Sequence, residues 1–116
     1  MNKYMQNAIC IKKGDTLSII GSQVKLRDLD NGELTDLSTW TARSTVTKDG
    51  FSDELIVTIL PSSKPNYFGL KLYADSVQTA EYPLGILDVD IRFESPEGVI
   101  VTSPTFRLNI IQNITL

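Results

Sequence analysis

Between positions 84 and 105 the chain alternates with the period of a β-hairpin. Leu87, Val89, Ile91 and Phe93 interleave with Asp88, Asp90, Arg92 and Glu94, which gives an extended strand one dry face and one wet face and would smear around a helix. Ser95-Pro96-Glu97-Gly98 follows as a turn. Pro96 presets φ at its second position and Gly98 tolerates a left-handed backbone. The return strand is placed from Val99. Burying each of the four inward side chains contributes roughly 1.5–3 kcal/mol, so this hairpin anchors whatever apolar face the remaining chain provides.

The same period recurs upstream. Ala8 to Lys13 is a short apolar strand ending in Lys12-Lys13-Gly14-Asp15, and Leu17 with Ile19 marks a second strand whose pattern Ile20 spoils. Val24 and Leu26 continue it past a bend or bulge near Gly21-Ser22, because one extra residue changes which side faces the core. A polar interruption from Arg27 to Ser38 contains the tight-turn pair Asn31-Gly32. Trp40, Ala42, Ser44 and Val46 then share one strand face, opposite a threonine-rich one. After the turn signal Lys48-Asp49-Gly50, Leu55, Val57 and Ile59 line a strand that stops at Pro61. Phe68, Leu70 and Leu72 form another. Asp75 to Tyr82 is read as a short connecting helix with Asp75 as its cap and Pro83 as its end. Phe106, Leu108 and Ile110 supply the last strand, and apolar groups near the end of the chain are candidates for pairing with the sheet or a neighbouring subunit.

Seven or eight such strands separated by Gly, Pro, Asp and Asn turns predict an all-β fold, a two-layer antiparallel β-sandwich with one short connecting helix, with a small barrel as the alternative. The 116 residues fit a single domain spanning 1–116. A net charge of −3 gives no footprint for a nucleic-acid backbone. No apolar run reaches the roughly 20 residues of a spanning helix, so no membrane insertion is expected. The first residues lack the apolar core of a signal peptide, so synthesis in a cytoplasm is expected.

Chemistry is sparse. Histidine is absent, which removes Ser-His-acid and Cys-His nucleophile systems. Cys10, between Ile9 and Ile11, reads as a buried or half-buried structural thiol. Asp28, Asp30, Glu33 and Asp36 are the densest carboxylate group, but Glu33 falls where a calcium loop of the helix-loop-helix type needs its glycine. Asp88 and Asp90 share a wet face with Arg92, which is read as offsetting their charge. Lys12, Lys13, Lys25, Lys48, Lys64 and Lys71 stand in turn-like or alternating contexts that solvate a charge. Trp40 is in phase with the core. Tyr67 and Tyr73 are out of phase with Phe68, Leu70 and Leu72 and are the candidate surface contacts, while Tyr4 and Tyr82 are read as loop or end residues. No catalytic residues, cofactor or metal are assigned.

The order of several landmarks resembles a family. Lys13-Gly14-Asp15-Thr16, then Asp36-Leu37-Ser38-Thr39-Trp40-Thr41-Ala42-Arg43, then Tyr82-Pro83-Leu84-Gly85 leading into Leu87-Asp88-Val89-Asp90-Ile91, then Ser95-Pro96-Glu97-Gly98-Val99, span most of the chain. Together they are similar to small β-sandwich proteins or modules of bacteriophage and prophage tail, baseplate and tail-fibre regions. That resemblance implies an Ig-like or related sandwich and a non-enzymatic virion structural or assembly role, with phage structural proteins as partners and homo-oligomers through strand edges. It transfers no active-site residues, and places the chain in the virion after synthesis in the host cytoplasm. A carbohydrate-binding sandwich using Tyr67, Tyr73 or the 27–38 loop is the alternative function.

Overall fold

The computed structural model describes residues 8–24, 39–60, 68–103 and 105–114. Its elements are β1 (Ala8–Lys12), β2 (Leu17–Val24), β3 (Thr41–Lys48), β4 (Phe51–Leu60), β5 (Phe68–Ala74), α1 (Ser76–Thr79), β6 (Gly85–Glu94), β7 (Ile100–Thr102) and β8 (Phe106–Ile111). The dry face expected of β6 is dry: Leu87, Val89, Ile91 and Phe93 are all buried, while Asp88, Arg92 and Glu94 are exposed. β7 returns antiparallel along β6 as expected, starting one residue later than Val99. Between them the Gly98 amide donates to the Ser95 carbonyl over 3.0 Å, and Gly98 sits at φ +91, where a side chain would strain the backbone.

The strands pair in the order β1-β8-β6-β3-β4-β5-β2, with β7 joined to β6 off this path. The sheet curls into a nearly closed seven-strand barrel. This corrects the expected two-layer, Ig-like sandwich. β4 shows how the curl arises, since Phe51 to Leu55 pair with β3 and Ile56 to Leu60 pair with β5. One long strand thus carries the sheet around a corner instead of ending one layer and opening another. The rings of Phe68 on β5 and Phe93 on β6 meet edge to face across the interior, 6.4 Å apart. β1 and β2, at opposite ends of the path, are joined by the short turn through Gly14, which brings the two ends of the sheet together at one end of the barrel. A second correction concerns direction: β1 runs parallel to β8, whereas all pairs were expected antiparallel.

Other sequence readings hold. β2 breaks register against β5 between Gly21 and Val24, the bulge anticipated there. Asp49 (φ 42) and Gly50 (φ 87) form a two-residue turn with left-handed backbone at both positions, the geometry that joins tightly twisted strands. Trp40 packs against the core beside Ala42 and Val46, and the buried Ser44 in the same row donates its hydroxyl to the Asp90 carbonyl over 2.9 Å. Asp75 caps α1 by accepting from the Gln78 amide at 2.8 Å. An Asp75→Ala variant is therefore expected to lose about 0.5–2 kcal/mol of unfolding free energy in urea titration. Asp75→Asn, which keeps the acceptor, should recover most of it.

Candidate functional site

The α1 segment stoppers one end of the barrel, and its polar groups tie together elements distant in sequence. Gln78 donates through Nε2 to the Asp53 carboxylate (2.8 Å) and the Glu54 carbonyl (2.6 Å) on β4. Thr79 donates to the Asp15 carbonyl in the β1–β2 turn at 2.6 Å. Lys13 Nζ donates to the Tyr82 carbonyl at 2.9 Å. Within this stopper Tyr82 is fully buried and meets Phe51 edge to face at 5.4 Å between centroids. Reading Tyr82 as a loop residue was right for its backbone and missed its side chain, which is the largest fully buried one described.

The Tyr82 hydroxyl has no hydrogen-bond partner of good geometry. Burial pushes its pKa well above the ordinary 10.0, and the Asp53 carboxylate, then the charge of Asp75, push it further the same way. This keeps the phenol neutral through the physiological range. Asp53 is also held by Gln78, so the constellation ties α1 and the buried Tyr82 to β4 as a plug at this end of the barrel.

The outward-facing residues carry a different signal. Tyr73 is half-buried on the outside of β5, opposite Ile56 of β4 on one side and Ser18 of β2 on the other. One step along, Lys71 stands between Thr58 and Ile20, and its ammonium lies 5.6 Å from the Tyr73 ring centroid. Ile20 and Ile56 are 67% and 60% exposed, far more than an aliphatic residue committed to the core. Tyr73 therefore lies on the outer face, as its phase implied, with the exposed Ile56 and Ile20 in the same and the adjacent row. Tyr67 lies outside the described residues, as does the carboxylate group Asp28, Asp30, Glu33 and Asp36.

A second outer patch runs across β6, β8 and β1. Ile86, Asn109 and Cys10 stand in one row, and the exposed Ile111 follows on β8 beside Lys12. Cys10 is exposed, which corrects the buried thiol expected from its isoleucine neighbours. Pairing with β8 sets the phase: Ile9 and Ile11 share the side of the buried Leu108 and Ile110, so Cys10 must face out. The charge pairing on β6 also differs from expectation. Asp88 accepts from Arg107 across the β6–β8 pair at 3.4 Å, and Arg92 lies 3.8 Å from Glu94. These exposed pairs contribute about 0–1 kcal/mol each.

Among the described residues no cluster of three or more His, Cys, Asp or Glu is placed to hold a metal ion, and no helix is long and apolar enough to cross a membrane. The chain matches no protein-family model, no curated protein and no solved structure.

Proposed function

We propose that this chain is a non-enzymatic structural or assembly protein of a bacteriophage or prophage particle, associated with the tail or baseplate. The observation that carries this reading is that, among the described residues, β1 and β2 each pair on one side only at the ends of the sheet path, with exposed aliphatic side chains on the outer faces beside them. Free edges offer main-chain donors and acceptors to a second chain, and apolar flanks add burial when it docks. The order of landmarks from Lys13-Gly14-Asp15-Thr16 to Ser95-Pro96-Glu97-Gly98-Val99 supports the phage assignment. Partners on this reading are other structural proteins of the particle and further copies of this chain.

The test is mass spectrometry of purified particles from an induced host carrying this sequence. The chain should be present in a fixed ratio to the major tail proteins and survive a high-salt wash. Its absence from intact particles would overturn the reading. The carbohydrate alternative makes a separate demand, selective glycan-array binding that Tyr73→Ala abolishes. Against it, Lys71 lies over the Tyr73 ring, the surface on which a sugar would stack.

A further inference from the structure

We infer that two copies of this chain associate by antiparallel pairing of their β1 strands about Cys10, an inference that rests on the assembly reading above and names its first partner. The edge geometry follows from two hydrogen bonds. The Lys13 amide donates to the Ile111 carbonyl at 2.9 Å, so the odd-numbered residues of this segment turn their main-chain groups toward β8. The Lys12 carbonyl accepts from the Asp15 amide at 3.0 Å, away from β8. By the alternation of a parallel ladder, the amides and carbonyls of Ala8 and Cys10 and the amide of Lys12 face the open edge.

Of the two strands that pair on one side only among the described residues, β1 is the receptive one. β2 carries the bulge between Gly21 and Val24, a device that twists an edge away from a partner. β1 has neither bulge nor proline, and its only charge is at its last residue. It also leaves a gap on the inner side, where Ile9 is 37% exposed although its β8 partner Leu108 is fully buried.

The occupant is set by self-complementarity. Ile9-Cys10-Ile11 reads the same in both directions, so an antiparallel partner strand of the same sequence fits with no mismatch. Centred on Cys10, the pairing places Ile9 of each copy against Ile11 of the other on the inner side, covering the exposed isoleucine. Cys10 faces Cys10 on the outer side, and Ala8 lies opposite Lys12, so no like charges meet. The Cys10 amides and carbonyls bond reciprocally, and each Lys12 amide reaches the Ala8 carbonyl of the second copy. Such a two-fold arrangement is closed and needs no further subunit.

Register-specific disulfide trapping tests this on the full chain. Directly opposed residues of a hydrogen-bonded antiparallel pair have Cα atoms roughly 5.5 Å apart, within disulfide reach. Ala8→Cys/Cys10→Ser mixed with Lys12→Cys/Cys10→Ser should give the crosslinked heterodimer under mild diamide oxidation, favoured about tenfold over either homodimer, since two copies of position 8 would lie about 13 Å apart, beyond bridging. Wild type should crosslink through Cys10 and show a dimer in sedimentation equilibrium. Cys10→Pro removes an edge-facing amide that β8 does not use, and should remain folded by circular dichroism while sedimenting as a monomer. Homodimer crosslinks equal to the heterodimer, or a Cys10→Pro protein as dimeric as wild type, would overturn the inference. If trapping fails while the chain is still found in particles, only this pairing falls; trapping with absence from particles would overturn the phage reading instead.

Discussion

Replacing Leu87 with alanine is expected to lower the unfolding free energy by about 2–5 kcal/mol. Leu87 on β6 is directly opposite Leu108 on β8, and both are wholly buried. The pair joins the central hairpin strand to the strand that carries β1, so the emptied volume lies on the buried inner face of the barrel. Urea titration should show a lower midpoint with an unchanged slope, because the surface exposed on unfolding is nearly the same. Leu87→Ala/Leu108→Ala should cost less than the sum of the two single changes, since both enlarge one cavity. Ile86→Ala, one residue away on the outer face, should stay within about 1 kcal/mol of wild type. A Leu87→Ala loss as small as that of Ile86→Ala would mean that this face of β6 does not line the barrel interior.

The inward rows were legible because strand periodicity is local. Leu87, Val89, Ile91 and Phe93 announce a dry side whatever that side packs against, and the same holds for Leu55 and for Phe68, Leu70 and Leu72. What those rows face was not legible. A sandwich and a closed barrel impose the same alternation on each strand, and they differ in how one strand passes from neighbour to neighbour. The division of β4 between β3 and β5 depends on register across two turns, a nonlocal quantity. β1 shows the same limit on a smaller scale. In Ala8-Ile9-Cys10-Ile11 both parities are apolar, so only the pairing with β8 could decide that the isoleucines turn in and the thiol turns out. The candidate surface was half visible. Tyr73 was placed outward by its phase with Leu72, but its neighbours Ile56 and Ile20 come from strands whose order along the sheet the sequence does not state. Tyr82 escaped notice because it sits in a connector with no period. The available signal was an aromatic residue set between Glu81 and Pro83 immediately before a strand entry, in a connector with no other aromatic residue.

Tyr82 also supplies the clearest pH signature. Its ring stoppers the barrel against Phe51, so Tyr82→Ala should cost about 3–5 kcal/mol. Tyr82→Phe should act in the opposite direction. The hydroxyl is buried without a hydrogen-bond partner of good geometry, so its contact with Asp53 offsets only part of its desolvation. Removing it should leave the protein about 1 kcal/mol more stable near neutral pH. The difference should then grow in alkali. Above the ordinary phenol value of 10.0 the unfolded chain releases the Tyr82 proton, while the folded chain, whose pKa is raised by burial and by Asp53, retains it. The folded state then binds more protons than the unfolded one, so stability falls as pH rises, by about 1.4 kcal/mol per pH unit at full slope. Tyr82→Phe has no such proton, and every other titrating group is shared by the two proteins. Urea midpoints measured from pH 8 to pH 11 should therefore diverge once the pH passes 10, with wild type losing ground. Parallel curves over that range would mean that the Tyr82 hydroxyl is open to solvent in the folded state and that the end of the barrel is not stoppered.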